Sequence, residues 1–179
     1  MNITIRAAVL EDCERIRPLQ KEIADLHHDG RPDLFRIEAR YFSQDAFKER
    51  LEDPKHTILI AETDEGQVVG YAFAWVISYR NHTTLEDHDS FYIDDICVLN
   101  AFQRAGIGRR LFECCKQKAE EQGCKTMELG VWAFNKKAIA FYESLGMTER
   151  IKKMGNLLET LAGKCRFLSA DQKIFTKRF

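Results

Sequence analysis

The order of patterns along the chain predicts an α/β domain: a mixed, mostly antiparallel sheet with helices on both faces. Three observations carry this. Two strand-like runs, residues 57–62 and 67–78, flank Asp64-Glu65-Gly66, a good hairpin turn. From residue 90 to residue 154 the chain then alternates strand, helix, strand, helix, strand. Within the second run, Val68-Val69-Gly70-Tyr71-Ala72-Phe73-Ala74-Trp75-Val76-Ile77 is apolar on both alternating faces, as a central strand covered from both sides must be.

Taken in order, residues 3–6 alternate and predict a short first strand. Glu11 and Asp12 open a helical pattern with apolar positions at Cys13, Ile16, Leu19, Ile23 and Leu26. Acidic residues in a first turn suit the helix dipole. Pro18 lies inside this pattern and predicts a late start or a kink. His27-His28-Asp29-Gly30-Arg31-Pro32-Asp33 predicts a loop, and residues 44–52 a second short helix. A polar, acidic loop covers residues 81–89, and a strand follows at 90–99. Residues 106–122 form an amphipathic pattern with Ile107, Leu111, Cys114, Cys115 and Lys118 along its inner edges, closed by a cap at Gly123. Residues 126–133 predict a strand. Asn135 caps a helix running through Ser144, which Gly146 ends. Residues 147–154 predict a further strand, 156–164 a helix and 172–177 a last strand.

Residues 1–179 predict a single domain. The net charge is −1, with 45% hydrophobic and 31% charged residues, so there is no global pull toward nucleic acid or anionic lipid. None of the six cysteines sits in a C-x-x-C pair, and Cys114–Cys115 are neighbours on a helix, so no zinc site or other metal is expected. Free thiols fit a reducing compartment. With no signal-like start and no long apolar run, the sequence predicts a cytoplasmic protein without a membrane span.

The strand at 90–99 runs into Gln103-Arg104-Ala105-Gly106-Ile107-Gly108-Arg109-Arg110. A helix starting here offers free backbone N–H groups and a positive dipole end. Gly106 and Gly108 remove side chains, so a diphosphate can approach the backbone. Arg104, Arg109 and Arg110 add positive charge that opposes the helix dipole, and an anionic ligand would offset that cost. On its own the segment also reads as a plain strand–helix turn. It is neither a Walker A loop nor a G-x-G-x-x-G fingerprint.

In context, Gln103 through Gly108 resembles the Q/R-x-x-G-x-G/A motif of the GCN5-related N-acetyltransferase (GNAT) superfamily. Asn135, followed by Phe141-Tyr142-Glu143-Ser144-Leu145-Gly146-Met147, is similar to the family's next cofactor-site segment. The strand 93–98 with its acidic pair is a third match. Together these span residues 68–150 in the family's order. The resemblance implies the GNAT fold, splayed between its fourth and fifth strands, with the pantetheine arm of acetyl-CoA in the cleft. It implies that the backbone of Ile96, Cys97 and Val98 pairs with the pantetheine. It implies that the backbone of Gln103, Arg104, Ala105, Gly106, Ile107, Gly108 and Arg109 holds the pyrophosphate. Asn135 would contact the pantetheine amides, with Ala138 and Phe141 lining the cofactor. The sequence departs from the family pattern after Met154. Residues 155–179 form an atypical tail, which leaves the acceptor-side wall and any homodimer contact open.

Acetyl transfer to an amine needs a neutral amine, a stabilised oxyanion and a protonated leaving thiolate. With a reference pKa of about 10.4, only about one alkylamine in a few thousand is neutral at pH 7, so a base is useful. Asp94 and Asp95 are the candidates. Adjacent strand residues point to opposite faces, so one faces the acceptor cleft unless a bulge intervenes. Each is either an acceptor-site carboxylate or one that binds a backbone amide or arginine structurally. Glu86, Asp87 and Asp89 either form an acidic mouth with them or are solvated loop charge. The resemblance places Tyr142 near the cofactor sulfur as the acid for the thiolate; otherwise it is a satisfied core tyrosine. The backbone N–H of Cys97 or Val98 is a candidate oxyanion donor, while the Cys97 thiol reads as packing. In this fold His27 and His28 overhang the acceptor site, to hold substrate with Asp94 or act as a base, or else they are an exposed loop pair. The expected activity is direct acetyl transfer from acetyl-CoA to a primary amine of a small molecule or peptide. The rivals are a non-catalytic acyl-CoA-binding module and a protein N-terminal or lysine acetyltransferase.

Overall fold

The computed structural model describes residues 2–37 and 43–155. Met1–Met147 form one compact unit and Thr148–Phe179 a second. The predicted helix at 156–164 and strand at 172–177 lie outside the described residues.

In the first unit, β1 (Ile3–Ala7), β2 (His56–Thr63), β3 (Val68–Tyr79), β4 (His88–Val98) and β5 (Thr126–Leu129) form one sheet in the order β1-β2-β3-β4-β5. The first three pairings are antiparallel and β4–β5 is parallel. The helices are α1 (Asp12–Arg15), α2 (Arg17–Gly30), α3 (Gln44–Glu52), α4 (Ile107–Glu121) and α5 (Lys136–Glu143), with a 3-10 turn at Asn100–Phe102.

Two cores cover the sheet, as the doubly apolar β3 requires. On one face Ile107, Leu111, Phe112, Cys115 and Ala119 of α4 pack on Leu59, Ala61, Val69, Ala72, Ala74, Phe91 and Ile93. On the other, Cys13, Ile16, Leu19 and Phe47 from α1–α3 pack on Ile58, Ile60, Tyr71, Phe73 and Cys97. Beside this second core Asp12 is fully buried. It accepts hydrogen bonds from Arg6 Nη1 at 2.7 Å, Arg15 Nη1 at 2.6 Å and the Val9 N–H at 2.9 Å. Glu62 accepts from the same two arginines, so β1, α1 and β2 share one ionic lock.

The helix expected from residue 11 breaks between α1 and α2, with Pro18 in the first turn of α2, where its missing N–H costs nothing. The expected loop at 27–33 is corrected. Helix α2 continues through Gly30, and the Arg31 N–H closes its end on the His27 carbonyl at 2.9 Å. Pro32 disfavours helical geometry at Arg31, so the helix stops there and not four residues earlier.

Strand β5 ends at Leu129, four residues short of the expected boundary. Its pairing with β4 covers only Ser90 to Ile93, so Asp94–Val98 of β4 have no β5 partner. This is the splay between fourth and fifth strands. No strand forms at 147–154. The stretch Thr148-Glu149-Arg150-Ile151-Lys152-Lys153 has one apolar side chain and cannot bury a strand face.

Candidate active site

The β3–β4 register shifts at the open segment: Phe73 pairs with Asp95 and Ala74 with Ile93. Asp94 is therefore the extra residue of a β-bulge. Asp94 is exposed, and Asp95 is half-buried on the same face as its partner Phe73. Tyr71, on β3, donates its phenolic O–H to Asp95 Oδ2. Burial drives the Asp95 carboxyl up to about 7, against the hydrogen bond from Tyr71 and reinforced by the charge of Asp94.

The edge that β5 leaves open has a definite polarity. The Leu99 N–H donates to the Val69 carbonyl at 3.0 Å. Alternation along an antiparallel ladder then turns the Cys97 N–H toward β3 and those of Ile96 and Val98 toward the open edge. The Val98 carbonyl accepts from Gln103 Nε2 at 3.1 Å, and that amide also donates to Asn100 Oδ1 at 3.0 Å. Gln103 thus clips the following turn onto the strand end. Cys97 is placed otherwise. Its thiol is buried in the core under α2, beside Tyr71, and reaches the Leu19 carbonyl at 3.5 Å. Burial, with the charges of Asp95 and Glu22, raises its pKa and keeps it a thiol.

Arg104 (φ 67°) and Gly106 (φ 78°) both take left-handed backbone conformations, which curl the chain into α4. No side chain caps this helix and no acid lies in its first turn. Its leading N–H groups are intrinsically without helical partners. A Cβ on Gly108 would lie 3.3 Å from Phe141 Cζ and 3.9 Å from Val98 Cγ2. The turn at 103–109, the end of β4 and α5 therefore meet at one place. Arg110 does not join them: its guanidinium donates to the Ile3 carbonyl at 2.8 Å.

Asn135 caps α5, its Oδ1 accepting from the Ala138 N–H at 3.0 Å. The cap aims α5 so that Phe141 faces Gly108 while the Tyr142 ring packs 6.4 Å from Phe112, centroid to centroid. Burial, then the charges of Asp95, Cys115 and Cys97, raise the Tyr142 pKa, so it holds its proton across the neutral range.

His27 and His28 lie on the last turn of α2, not on a loop. Both grip Phe35. The His27 ring stacks on it at 4.9 Å, and His28 Nδ1 lies 2.8 Å from its carbonyl, which requires the hydrogen on Nδ1. Burial lowers the His27 pKa, so this ring is neutral. Phe35 meets Trp132 edge-on at 5.2 Å, and Phe134 lies 6.3 Å from His27. This aromatic bridge joins the end of α2 to the segment after β5. Trp132 and Phe134 were not legible as site residues, because the apolar run Val131-Trp132-Ala133-Phe134 behind Gly130 reads as the continuation of a strand. Tyr71 carried a clearer signal: a phenol in a doubly buried strand must find a partner. Of the acids expected in the 81–89 loop, Asp89 instead lies at the start of β4, paired with Arg80 at 2.8 Å, and Asp87 accepts the Asn81 N–H at 2.9 Å. Glu86 contributes its backbone carbonyl to His88.

A splayed parallel pair, a bulged strand and a glycine turn leading into a bare helix start define the architecture. The family model described as the acetyltransferase (GNAT) family matches residues 21–147, more than half of the chain. This chain belongs to the GNAT family. It is an acyltransferase of the N-acetyltransferase type, dependent on acetyl-CoA. A thialysine N-epsilon-acetyltransferase from Bos taurus is 29% identical over 177 residues, covering 90% of this chain and 98% of the relative. The crystal structure of a mutant BH1408 protein from Bacillus halodurans superposes with a TM-score of 0.82 at 28% identity, covering 87% of this chain and 99% of that one. An aminoglycoside N-acetyltransferase AAC(6')-Iy in complex with CoA shares the fold, with a TM-score of 0.65 at 19% identity over 87% of this chain and 98% of that one. Among the described residues no group of three or more His, Cys, Asp or Glu side chains is placed to hold a metal, and no helix is long and apolar enough to cross a membrane.

Proposed function

We propose that this GNAT enzyme moves the acetyl group of acetyl-CoA directly to a primary amine of a small molecule, with Asp95 as base and Tyr142 as acid. The observation that carries this is the pairing of opposite protonation states near neutral pH. Burial pushes the Asp95 carboxyl up to about 7 and keeps Tyr142 protonated, and the charge of Asp95 adds to the rise at Tyr142.

The steps follow from this arrangement. The open edge of Ile96 and Val98 receives the pantetheine as an added strand. The N–H groups of the turn at 103–109 hold the pyrophosphate, and Phe141 and Ala138 line the arm beside Asn135. The left-handed Gly106 and the uncapped start of α4 fit such an anion. Asp95 takes a proton from the ammonium, directly or through a water, and Asp94 helps seat the cation. The freed nitrogen attacks the thioester carbonyl, and the Val98 N–H donates a hydrogen bond to the developing oxyanion. Of the two donors considered from sequence, Cys97 is disfavoured because its N–H faces β3. The C–S bond then breaks, and the departing thiolate takes the Tyr142 proton. The attacking nitrogen gives up its second proton to the resulting tyrosinate, directly or through a water, which restores Tyr142 and leaves a neutral amide. Cys97 carries no acyl group in this scheme.

The aromatic bridge of His27, Phe35, Trp132 and Phe134 supports a small acceptor over a peptide, because it ties α2 to the segment after β5, where an extended peptide would need open space. The two histidines then act by holding Phe35 in place. The Bos taurus relative is named for a small amino-acid acceptor, in keeping with this choice. A thiol-release screen with acetyl-CoA and polyamines, aminoglycosides, lysine, thialysine and short peptides tests it. Turnover with at least one small amine is expected. Turnover with peptides alone, or with no amine, would overturn it.

A further inference from the structure

Tyr71 is 1% exposed, within the continuously buried stretch Val68–Ala74 of β3. Its Cα partner across the ladder is Cys97, yet its phenol reaches diagonally to Asp95, two residues along β4. Phe73, the Cα partner of Asp95, packs edge-on against the Tyr71 ring at 5.2 Å and fixes its direction. Phenylalanine would fill the same volume among Val, Ala and Phe neighbours. Only a tyrosine brings a hydrogen-bond donor, and a buried phenol left without a partner is costly. The hydroxyl is explained by the carboxylate it meets.

We infer that Tyr71 is the positioning residue for Asp95, holding Oδ2 on the core side of the sheet so that Oδ1 is the oxygen presented to the acceptor. This rests on the reading of Asp95 as the base. The bulge at Asp94 is what makes such a tether necessary. It places Asp95 at a break in the ladder, where the strand alone does not fix the carboxyl group.

The tether also sets when the base is ready. The groups that act on Asp95 are Tyr71 from β3 and Asp94 from β4; the charge of Asp95 in turn acts on Cys97 of β4 and Tyr142 of α5, and Glu22 of α2 also acts on Cys97. None of these is a cation. Burial and Asp94 push the carboxyl toward its neutral form, and the Tyr71 hydrogen bond opposes them. A donor to a carboxylate stabilises its ionised form, so losing the phenol moves the titration to higher pH.

The test is a carbon-13 NMR titration of the full chain labelled at the aspartate carboxyls, with the Asp95 signal assigned by its loss in Asp95→Asn. The wild-type midpoint is expected at about 7. Tyr71→Phe should raise it by about one unit, roughly a ten-fold lower ratio of carboxylate to acid at a given pH. 3-Fluorotyrosine placed at position 71, a stronger donor of nearly the same shape, should lower it. An unmoved midpoint in both proteins would overturn the role of Tyr71, even if Tyr71→Phe melts earlier. A separate arm addresses the base itself: thiol release from acetyl-CoA across the amine panel, as a function of pH, in Asp95→Asn. If that variant keeps wild-type turnover and the same acidic limb, Asp95 is not the base, whatever the titration says of Tyr71.

Discussion

Phe134 lies directly on the backbone of Gly30: a Cβ added there would sit 2.3 Å from the ring's Cε2. This contact joins the last turn of α2 to the segment that leaves β5. Gly30→Ala forces the ring away. The expected cost is about 1–3 kcal/mol by urea unfolding, typical of overpacking. In a Phe134→Leu background the same substitution should cost much less, because the clash partner is gone. Equal costs in both backgrounds would show that the contact does not matter.

Gly108 faces Phe141 across the start of α4. Gly108→Asp adds a negative charge where the helix N–H groups gather, and like charges placed together cost several kcal/mol. CoA affinity measured by calorimetry should fall by about 100-fold or more. Retained affinity would remove the pyrophosphate from this turn.

Tyr142→Phe keeps the ring that packs on Phe112 and removes only the hydroxyl. With loss of the acid, kcat should fall by about 100-fold or more, within the range for a positioned proton donor. CoA affinity should stay within about two-fold, since the ring's packing is untouched. Unchanged turnover would exclude Tyr142 as the acid.

Asp12 is the buried centre of the ionic lock between β1, α1 and β2. Burial alone would raise its pKa, but the hydrogen bonds from Arg6 and Val9 and the charges of Arg6 and Arg15 hold it below the ordinary 3.8. A depressed folded pKa gives stability that is present above the unfolded value and lost as pH falls through the folded one. Asp12→Ala should cost about 2–4 kcal/mol at pH 7, less than a fully buried pair because both guanidiniums keep solvent contact. Urea unfolding at pH 7 and again near pH 3 should show the gap to wild type narrowing in acid. A gap that does not depend on pH would contradict the lock.

Features set by local chemistry were legible in the chain. The unbroken apolar run from Val68 to Ile77 gave the central strand, Pro18 gave the break between α1 and α2, and Asn135 gave the cap of α5. What depended on distant partners was not. Gly30-Arg31-Pro32 reads as a helix breaker, but the helix persists to Gly30, where the ring of Phe134 packs against it. The end of β5 is set by its divergence from β4, not by its own apolar run. The bulge at Asp94 exists only in the pairing with β3, so strict alternation could not place the two aspartates. The turn at 103–109 was legible from its glycines, whereas the diversion of Arg110 to the Ile3 carbonyl was not.

Direct transfer from acetyl-CoA to an amine is tested by mass spectrometry of enzyme and products in one reaction. Wild-type enzyme incubated with acetyl-CoA alone should keep its mass, and addition of an accepted amine should yield CoA thiol and N-acetylated amine in equal amounts. An acetyl adduct on the protein that the amine then removes, or thiol release without an acetylated amine, would contradict direct transfer.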